Sequence, residues 1–548
     1  MRIPYLINMN ILILFSAFLF VFSILNPIHF NPWPSFLSEI ICYISFLLLL
    51  IFNLIEKISK KILIIFSFSL IPIVQFFFGK VYYFSIAFLS FLYITSFGLM
   101  VLVGYNLSIH QNYQKKKSLM VYVSYLYIFI CLCSSVIAII QWLNLSYNTQ
   151  YIAAMVGNRP FANLAQPNHL ATLLSMGGIG CFYLYEKKQL NNYFLTTFIL
   201  FFIFVVALTQ SRTTWIFLLV LIIVIVYKRK IINFRLNNNL IVMWSCIYVL
   251  CVLTIPFLSE FLSSYFNIIK TIDVIERATT GYLRFEIWSQ SVRAIIEKPW
   301  FGYGWNQTSA AQYAVLERYS GREWFSSAHN IVLDIIIWNG VILGGLITLY
   351  FSLTYLICLI KNRKIETVFA SLMILPILIH SFLEYPFKYV YFLLPAGLFW
   401  GVMISELDLK NIKVRPICFK VIAVLGFVVL GYIFKEFNES IDNNVAANTY
   451  EMNERVDQFE LAYPVYILDE FKYRSQWFAL NPYTKLSKND LDGIGKMVSL
   501  HLTPYDLLKY AKILSYNGYQ KEAFSQLKIL EILYGKKYKY DDIIYKNK

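Results

Sequence analysis

Charge is what this sequence has little of. Only 14% of its 548 residues are Asp, Glu, Lys or Arg, against about 25% in soluble domains. With 58% hydrophobic residues and a positive mean hydropathy, the shortage excludes an ordinary water-soluble enzyme and implies a chain embedded in lipid. The long apolar runs are almost free of ionisable groups, with Asp334 the main exception. Such groups inside a membrane mark ion paths and proton relays, so their scarcity argues against a transporter. Metal-ligand spacing is lacking as well. The eight cysteines (Cys42, Cys131, Cys133, Cys181, Cys246, Cys251, Cys358 and Cys418) all lie in or beside apolar runs and form no disulfide framework, so they read as small hydrophobic side chains. No acidic cluster suited to magnesium occurs among the candidate motifs, and neither a metal nor another cofactor is expected. A small-residue cleavage site is missing after the first apolar run, 7–25. Asn26-Pro27 and a second run follow it, so it is read as a span and not a signal peptide.

What is present is a series of runs long enough to cross a bilayer, which takes about 20 mostly apolar residues each. They fall near 7–25, 35–54, 62–79, 82–104, 118–142, 168–185, 193–209, 213–227, 238–258, 331–359, 366–383, 389–405 and 417–435, about thirteen in all. The net charge of +16 is a topology signal and not a nucleic-acid footprint, because the basic residues alternate from link to link. Lys57, Lys60 and Lys61; Lys115 to Lys117; Lys187 and Lys188; Lys228, Arg229, Lys230 and Arg235; Lys361, Arg363 and Lys364; and Lys410, Lys413 and Arg415 form one set. The intervening links are poor in lysine. The positive-inside rule makes the basic set cytoplasmic and the amino terminus internal. Residues 158–169, 210–212, the whole 259–330 loop and 384–388 then share the outer face, which in a double-membrane bacterium is periplasmic.

Chemistry is sought on that face. In Gly157 to Ala171, Pro167 sits where a helix can begin. Gln166, Asn168 and the free N–H groups of the first turn can hold a phosphate or sugar, or simply cap the helix. Arg212, in Gln210-Ser211-Arg212-Thr213-Thr214, offers a donor fork suited to phosphate; a snorkelling arginine at a helix end reads the same way. In the large loop, Arg277, Arg284 and Trp288 share one face if the segment is helical. Lys298-Pro299-Trp300-Phe301-Gly302-Tyr303-Gly304-Trp305 then breaks that helix with aromatics that stack on sugars or sit at the headgroup level. His329, at the mouth of an apolar run, is the side chain best suited to exchange protons near neutral pH, with a structural histidine as the alternative. His169 and His380 also lie near the outer face, His380 deeper in its span. Pro386 ends a helix and leaves Glu384 and Tyr385 at its outer end. There Glu384 can orient His329, pair with Arg284, or contact Lys388.

From about Glu436 the composition changes. Leu507, Leu508, Ala511, Leu514, Ala523 and Leu527, with Gly518 between, are spaced as a helical hairpin, similar to a single tetratricopeptide-like repeat. The reading is therefore an all-α polytopic membrane domain over 1–435 and a small helical domain over 436–548 outside the membrane.

Taken in order, Asn163 to Ala171, Ser211-Arg212-Thr213, Arg284 to Trp288, Pro299 to Trp305, Ala328 to Asp334 and His380 to Pro386 resemble the bacterial PglL-type protein O-oligosaccharyltransferases, relatives of the O-antigen ligases and polymerases. The resemblance covers about residues 150–400. The Gln-Pro-Asn-His and Glu-Tyr-Pro stretches tilt it toward the protein-glycosylating branch. It implies a GT-C-type fold in the bacterial inner membrane, with the active site on the periplasmic face. A preassembled glycan would pass from undecaprenyl pyrophosphate to a Ser or Thr hydroxyl of a periplasmic protein such as pilin. It further implies that His329 activates the acceptor, that Arg212 and Arg284 hold the pyrophosphate, and that Gln166 and Tyr385 are required members of the site. The alternative is an O-antigen ligase or polymerase with a sugar acceptor. One departure is Trp338-Asn339-Gly340, where the family often has an acidic residue before the glycine.

Overall fold

The computed structural model describes residues 3–52, 55–109, 113–146, 149–164, 166–265, 268–270, 282–453 and 459–544. Nineteen α-helices run through these residues, and each expected span falls on one of them. They are α1 (Ile3–Leu25), α2 (Phe36–Phe52), α3 (Lys60–Phe77), α4 (Phe84–Ile109), α5 (Tyr113–Trp142), α6 (Pro167–Glu186), α7 (Asn192–Thr209), α8 (Arg212–Arg229), α9 (Asn238–Ser263), α12 (Ile331–Lys361), α13 (Ile365–Ser381), α14 (Val390–Ile404) and α15 (Pro416–Met452). The large loop adds α10 (Tyr282–Glu297) and α11 (Thr308–Val315). The tail adds α16 (Asp469–Ala479), α17 (Lys488–Leu500), α18 (Pro504–Tyr516) and α19 (Gln520–Tyr534). Among the described residues, α3, α4, α5, α7, α9, α12 and α15 are long and apolar enough to cross a membrane, and α1, α2, α13 and α14 are apolar but shorter. The other two expected spans are more polar: α6 has Asn168 and His169 in its first turn, and α8 carries Arg212, Lys228 and Arg229.

The chain divides into two compact units. One comprises 1–65, 95–280 and 352–430, the other 66–94, 281–351 and 431–548. In the first, the basic links are bonded to one another at one end of the helices. Lys57–Ser59 pairs antiparallel with Asn411–Lys413. The backbone N–H groups of Arg363 and Lys364 donate to Glu406. Lys228 Nζ donates to the Asn362 carbonyl at 2.6 Å, Lys187 pairs with Glu366 at 2.6 Å, and the backbone of Arg235 and Leu236 donates to Glu186. Five links that alternate along the chain are thus one network in space, as the charge pattern requires. The sixth, Lys115 to Lys117, lies outside the described side chains. The opposite ends of α6, α7, α8, α13 and α14 carry Asn168, Thr209, Arg212, Ser381 and Val390, which puts the motifs away from the lysines.

The second unit is built differently. The tail hairpin of α18 and α19 turns at Gly518, in the left-handed region at φ +88°. Thr503 caps α18 through Asp506 N–H, and Asp506 in turn accepts from Arg474 and Trp477 of α16. The core formed by Trp477, Leu500, Leu507 and Leu530 also contains Val81, Tyr83, Ala310 and Leu316, so the tail and the large loop bury their apolar faces together. Asp469 accepts from Phe84 and Ser85 N–H at 2.9 and 2.8 Å and so caps the start of α4. Helix α15 runs unbroken through Glu436, where the composition had suggested a boundary. Glu436 itself is buried, accepting the N–H groups of Tyr466, Ile467 and Leu468.

Helix α12 is two helices joined at Gly340, whose φ and ψ of 78° and 171° no L-residue adopts readily. The loop after α10 fits against that break. Tyr303 and Gly304 N–H donate to the carbonyls of Ile337 and Trp338, and Val341 N–H donates to Pro299 O at 2.7 Å. A Cβ on Gly340 would lie 2.2 Å from Trp300 O. Gly340→Ala is therefore expected to lower unfolding free energy by about 3 kcal/mol or more, combining backbone strain with displacement of the loop. Thermal unfolding of the purified protein in detergent checks this, and an unchanged midpoint contradicts it.

Candidate active site

In the first unit, Gln166 is the extended N-cap of α6 and Pro167 its first residue, as the proline suggested. The amides of Gln166 and Asn168 both donate to the buried Glu384, at 3.3 and 3.2 Å. Glu384 thus holds the start of α6 against the turn after α13. Asn168 also accepts from Arg159 Nη2 at 3.2 Å, while Arg159 Nε donates to Thr209 O at 2.7 Å. One arginine thereby joins the Gln-Pro-Asn-His turn to the last residue of α7. Three residues further on, Arg212 opens α8, half-buried, after Gln210 in a left-handed C-cap at φ 48°. Tyr385 is half-buried and stacks on Tyr389 at 6.4 Å, with Lys388 Nζ 5.7 Å from its ring. Below this layer, His169 Nδ1 meets Tyr391 OH at 3.2 Å and His380 Nδ1 meets Thr172 Oγ1 at 2.8 Å. Both histidines are fully buried.

In the second unit, His329 is half-buried in a left-handed conformation at φ 52°, two residues before α12. A non-glycine residue adopts that conformation only when its surroundings hold it. The holding group is Asp334. Its carboxylate, wholly buried, accepts from Ser327 Oγ at 2.5 Å, Thr308 Oγ1 at 2.7 Å and Ala328 N–H at 2.9 Å. Trp338 Nε1 donates to Thr308 at 2.8 Å and extends the network. From the other side, Trp288 Nε1 donates to Ala328 O at 3.0 Å. Trp288 follows Arg284 by one turn of α10, so the helix bearing Arg284 is bonded to the residue before His329. Arg277 lies outside the described residues. Tyr303, in the loop after α10, is buried beside Glu297; burial first and that carboxylate second push its hydroxyl up to about 12, so it stays protonated. Trp300 and Phe301 of the same loop are exposed, as an aromatic belt or a sugar platform requires. Asn339, before Gly340, has both ends of its amide bonded: its Oδ1 accepts from Gln75 Nε2 and its Nδ2 donates to Ile335 O.

Three positioning residues were not picked out from sequence. Gln141, fully buried near the end of α5, holds the loop before Gln166 through four bonds, to Ala153 O, Ala162 O, and the N–H groups of Phe161 and Ala162. Its signal was a lone amide in the run Ile139-Ile140-Gln141-Trp142. Asp334 stands out in the sequence only as a charge within an apolar run, and Arg159 only as one polar residue of the Gly157 to Ala171 stretch. Among the described residues no group of His, Cys, Asp and Glu is arranged to hold a metal ion.

Three families match the chain. Residues 160–185 match one described as protein glycosylation ligase, residues 197–349 match O-antigen ligase, and residues 368–542 match the C-terminal part of a virulence factor membrane-bound polymerase. These matches take in Gln166 and Asn168, then Arg212, Arg284 and His329, then Glu384 and Tyr385. A general O-oligosaccharyltransferase of Acinetobacter baylyi is 35% identical over 540 residues, 97% of this chain and 94% of its own. A ComP-specific O-oligosaccharyltransferase of the same organism is 30% identical over 481 residues, 84% of each chain.

The Asp334 network yields a measurable expectation. Asp334→Ala leaves two hydroxyls and a backbone N–H buried without their acceptor, at about 1–3 kcal/mol each. Allowing for relaxation, a loss of about 3 kcal/mol in unfolding free energy is expected. Denaturant unfolding in detergent checks it, and a loss under about 0.5 kcal/mol, the size of an ordinary surface substitution, contradicts the assignment.

Proposed function

The chain belongs to the bacterial O-oligosaccharyltransferases of the O-antigen ligase superfamily, and from that premise we propose that it transfers a preassembled glycan from undecaprenyl pyrophosphate to a Ser or Thr hydroxyl of an extracytoplasmic protein, pilin being the candidate acceptor. The observation that carries this reading is the match of residues 160–185, the segment of Gln166 and Asn168, to a protein glycosylation ligase family. That match favours a protein acceptor over the sugar acceptor of an O-antigen ligase or polymerase.

The proposed topology has about thirteen spans in the inner membrane, with the basic network of the first unit in the cytoplasm and the motif-bearing helix ends on the periplasmic side. The tail from about residue 436 is assigned to the same side, where it is available to an acceptor protein. Its two helices α18 and α19 support the tetratricopeptide-like comparison at the level of one hairpin.

The roles follow from the chemistry of each group. His329, proposed as the general base, takes the proton of the acceptor hydroxyl as its oxygen attacks the anomeric carbon. The glycosyl–oxygen bond to the pyrophosphate breaks, and the leaving group departs as a phosphate-stabilised anion. Arg212 and Arg284 are assigned to that anion, for which the guanidinium fork is suited without a metal. Arg277 is proposed to assist them. Gln166 and Asn168 are proposed to bind the donor, with Glu384 setting the direction of both amides. Tyr385, over the start of α14, is proposed to contact the reacting sugar.

The test is to combine the protein with a lipid-linked glycan and an acceptor pilin, and to look for the glycan mass on a serine or threonine. His329→Ala is expected to lower transfer by about 10²-fold or more, and Arg284→Ala by about 10²–10³-fold. Full transfer by the His329 variant rejects it as the base. A pilin of unchanged mass, with glycan appearing on lipopolysaccharide instead, rejects the protein acceptor.

A further inference from the structure

Helix α10 is apolar on the face it exposes. Ile287, Gln290, Ser291 and Ala294 form its buried side. On the opposite side Phe285, Ser289, Val292 and Ile296 make one stripe along the helix, about 16 Å from end to end. Phe285 and Ile296 are 71% and 63% exposed. The acids of α10 are occupied elsewhere: Glu286 accepts Arg322 N–H, and Glu297 pairs with Arg318 at 2.9 Å, both in the loop after α11. Arg293 lies against Tyr319 of that loop. An exposed apolar stripe rimmed by polar groups marks contact with a membrane or a partner protein.

Two helix lengths decide between these. Val341, just past the break in α12, precedes Lys361 at the end of that helix by about 30 Å, the thickness of the hydrocarbon core. Helix α3 runs from Lys60 to Phe77, about 26 Å. Lys60 and Lys361 belong to the basic links, so Phe77 and Val341 both arrive at the other surface of the bilayer. The loop after α10 is bonded at that level. Val341 N–H donates to Pro299 O at 2.7 Å, and Trp305 N–H donates to Gln75 of α3 at 2.8 Å. Trp300 and Phe301 of this loop are exposed, as are Phe77 and Phe78 at the end of α3. Lys80 Nζ lies 5.9 Å from the Phe301 ring. Exposed aromatics beside a lysine, one hydrocarbon thickness from the far lysines, suit a membrane–water interface. They continue the exposed apolar sides of the two spans, at Leu70 and Val74 of α3 and Ile342, Leu346 and Leu349 of α12. Helix α10 ends at Glu297, two residues before Pro299, so its stripe starts from the same level.

We propose that α10 lies in the plane of the bilayer surface remote from the lysine network, with Phe285, Val292 and Ile296 seated in lipid at the boundary of headgroups and acyl chains. Trp300 and Phe301 anchor one end of it, and the exposed Lys80 and Lys298 meet the lipid phosphates. Arg284 is on the flank of the stripe, so the seat holds its guanidinium at the height of a lipid headgroup. The inference rests on the multi-span topology proposed above and is independent of the identity of the donor.

The experiment uses the full chain in vesicles of phosphatidylethanolamine and phosphatidylglycerol, with hydroxyl-radical modification read by mass spectrometry. Phe285, Trp300 and Phe301 are expected to react about tenfold more slowly than the exposed Phe524 of the tail, because lipid excludes the water that carries the radical. Reaction of Phe285 and Ile296 at the rate of Phe524, with Leu346 and Leu349 still protected, overturns the seat and leaves the spans standing. Reaction of Leu346 and Leu349 as well rejects the topology, and the seat with it. This measurement needs no substitution, so it stands whether or not a variant folds. In the second, p-benzoylphenylalanine replaces Val292 and the vesicles are irradiated with acceptor pilin added. An adduct with a phospholipid acyl chain is expected. A cross-link to a second copy of the chain or to the pilin, without the lipid adduct, overturns lipid as the occupant.

Discussion

A backbone that leaves the helix within or beside lipid has little water to satisfy it, and among the described residues three irregular stretches beside the motifs are held by buried or half-buried polar side chains that take water's place. Asp334 does this for the turn before His329, accepting a backbone N–H and two hydroxyls. Gln141 does it for the loop before Gln166 with four bonds. Gln75 and Gln307 serve the loop after α10: Gln75 accepts from Trp305 N–H, and Gln307 reaches Lys80 O and Tyr303 O. In each case the polar side chain is fixed by what it bonds, so the bends that carry His329, Gln166 and the aromatic loop are stiff and not merely exposed.

The same constraint explains where the motifs lie. Helical segments satisfy themselves, so they need no polar side chains, and their sequences are free to be apolar. The departures from helix coincide with the motifs: the start of α6, the joint between α7 and α8, the break at Gly340, and the turn between α13 and α14. The left-handed residues Gln210 and His329 both lie at such joints. Stiff joints of this kind suit transfer chemistry on a charged leaving group, where the donors must be aimed before the charge develops. Carboxylates in these places are occupied with amides and N–H groups. Glu384 and Asp334 each hold a turn through those bonds.

The tail shows the opposite regime. There the helices are short and amphipathic, and their stability comes from a shared apolar core, with Trp477 and Leu507 packed in one cluster with Val81 and Leu316. The large loop contributes Ala310 to that cluster and depends on the tail for its own burial. A segment that composition alone marks as a separate domain is, in packing terms, the other half of the loop's core.

Much of this was legible in the sequence for a physical reason. Desolvation of charge is so costly in lipid that the placement of lysines and the length of apolar runs are fixed locally, and both can be read residue by residue. The helices, the grouping of the basic links, and the start of α6 at Pro167 follow from such local terms. What only tertiary structure decided is which polar group satisfies which. That Glu384 meets Gln166 and Asn168 across more than 200 residues, that Asp334 is a clamp and not a stray charge, and that α12 breaks at Gly340 against Pro299 and Trp300, all depend on partners distant in sequence. Spacing along one helix carries no information about a donor that arrives from another.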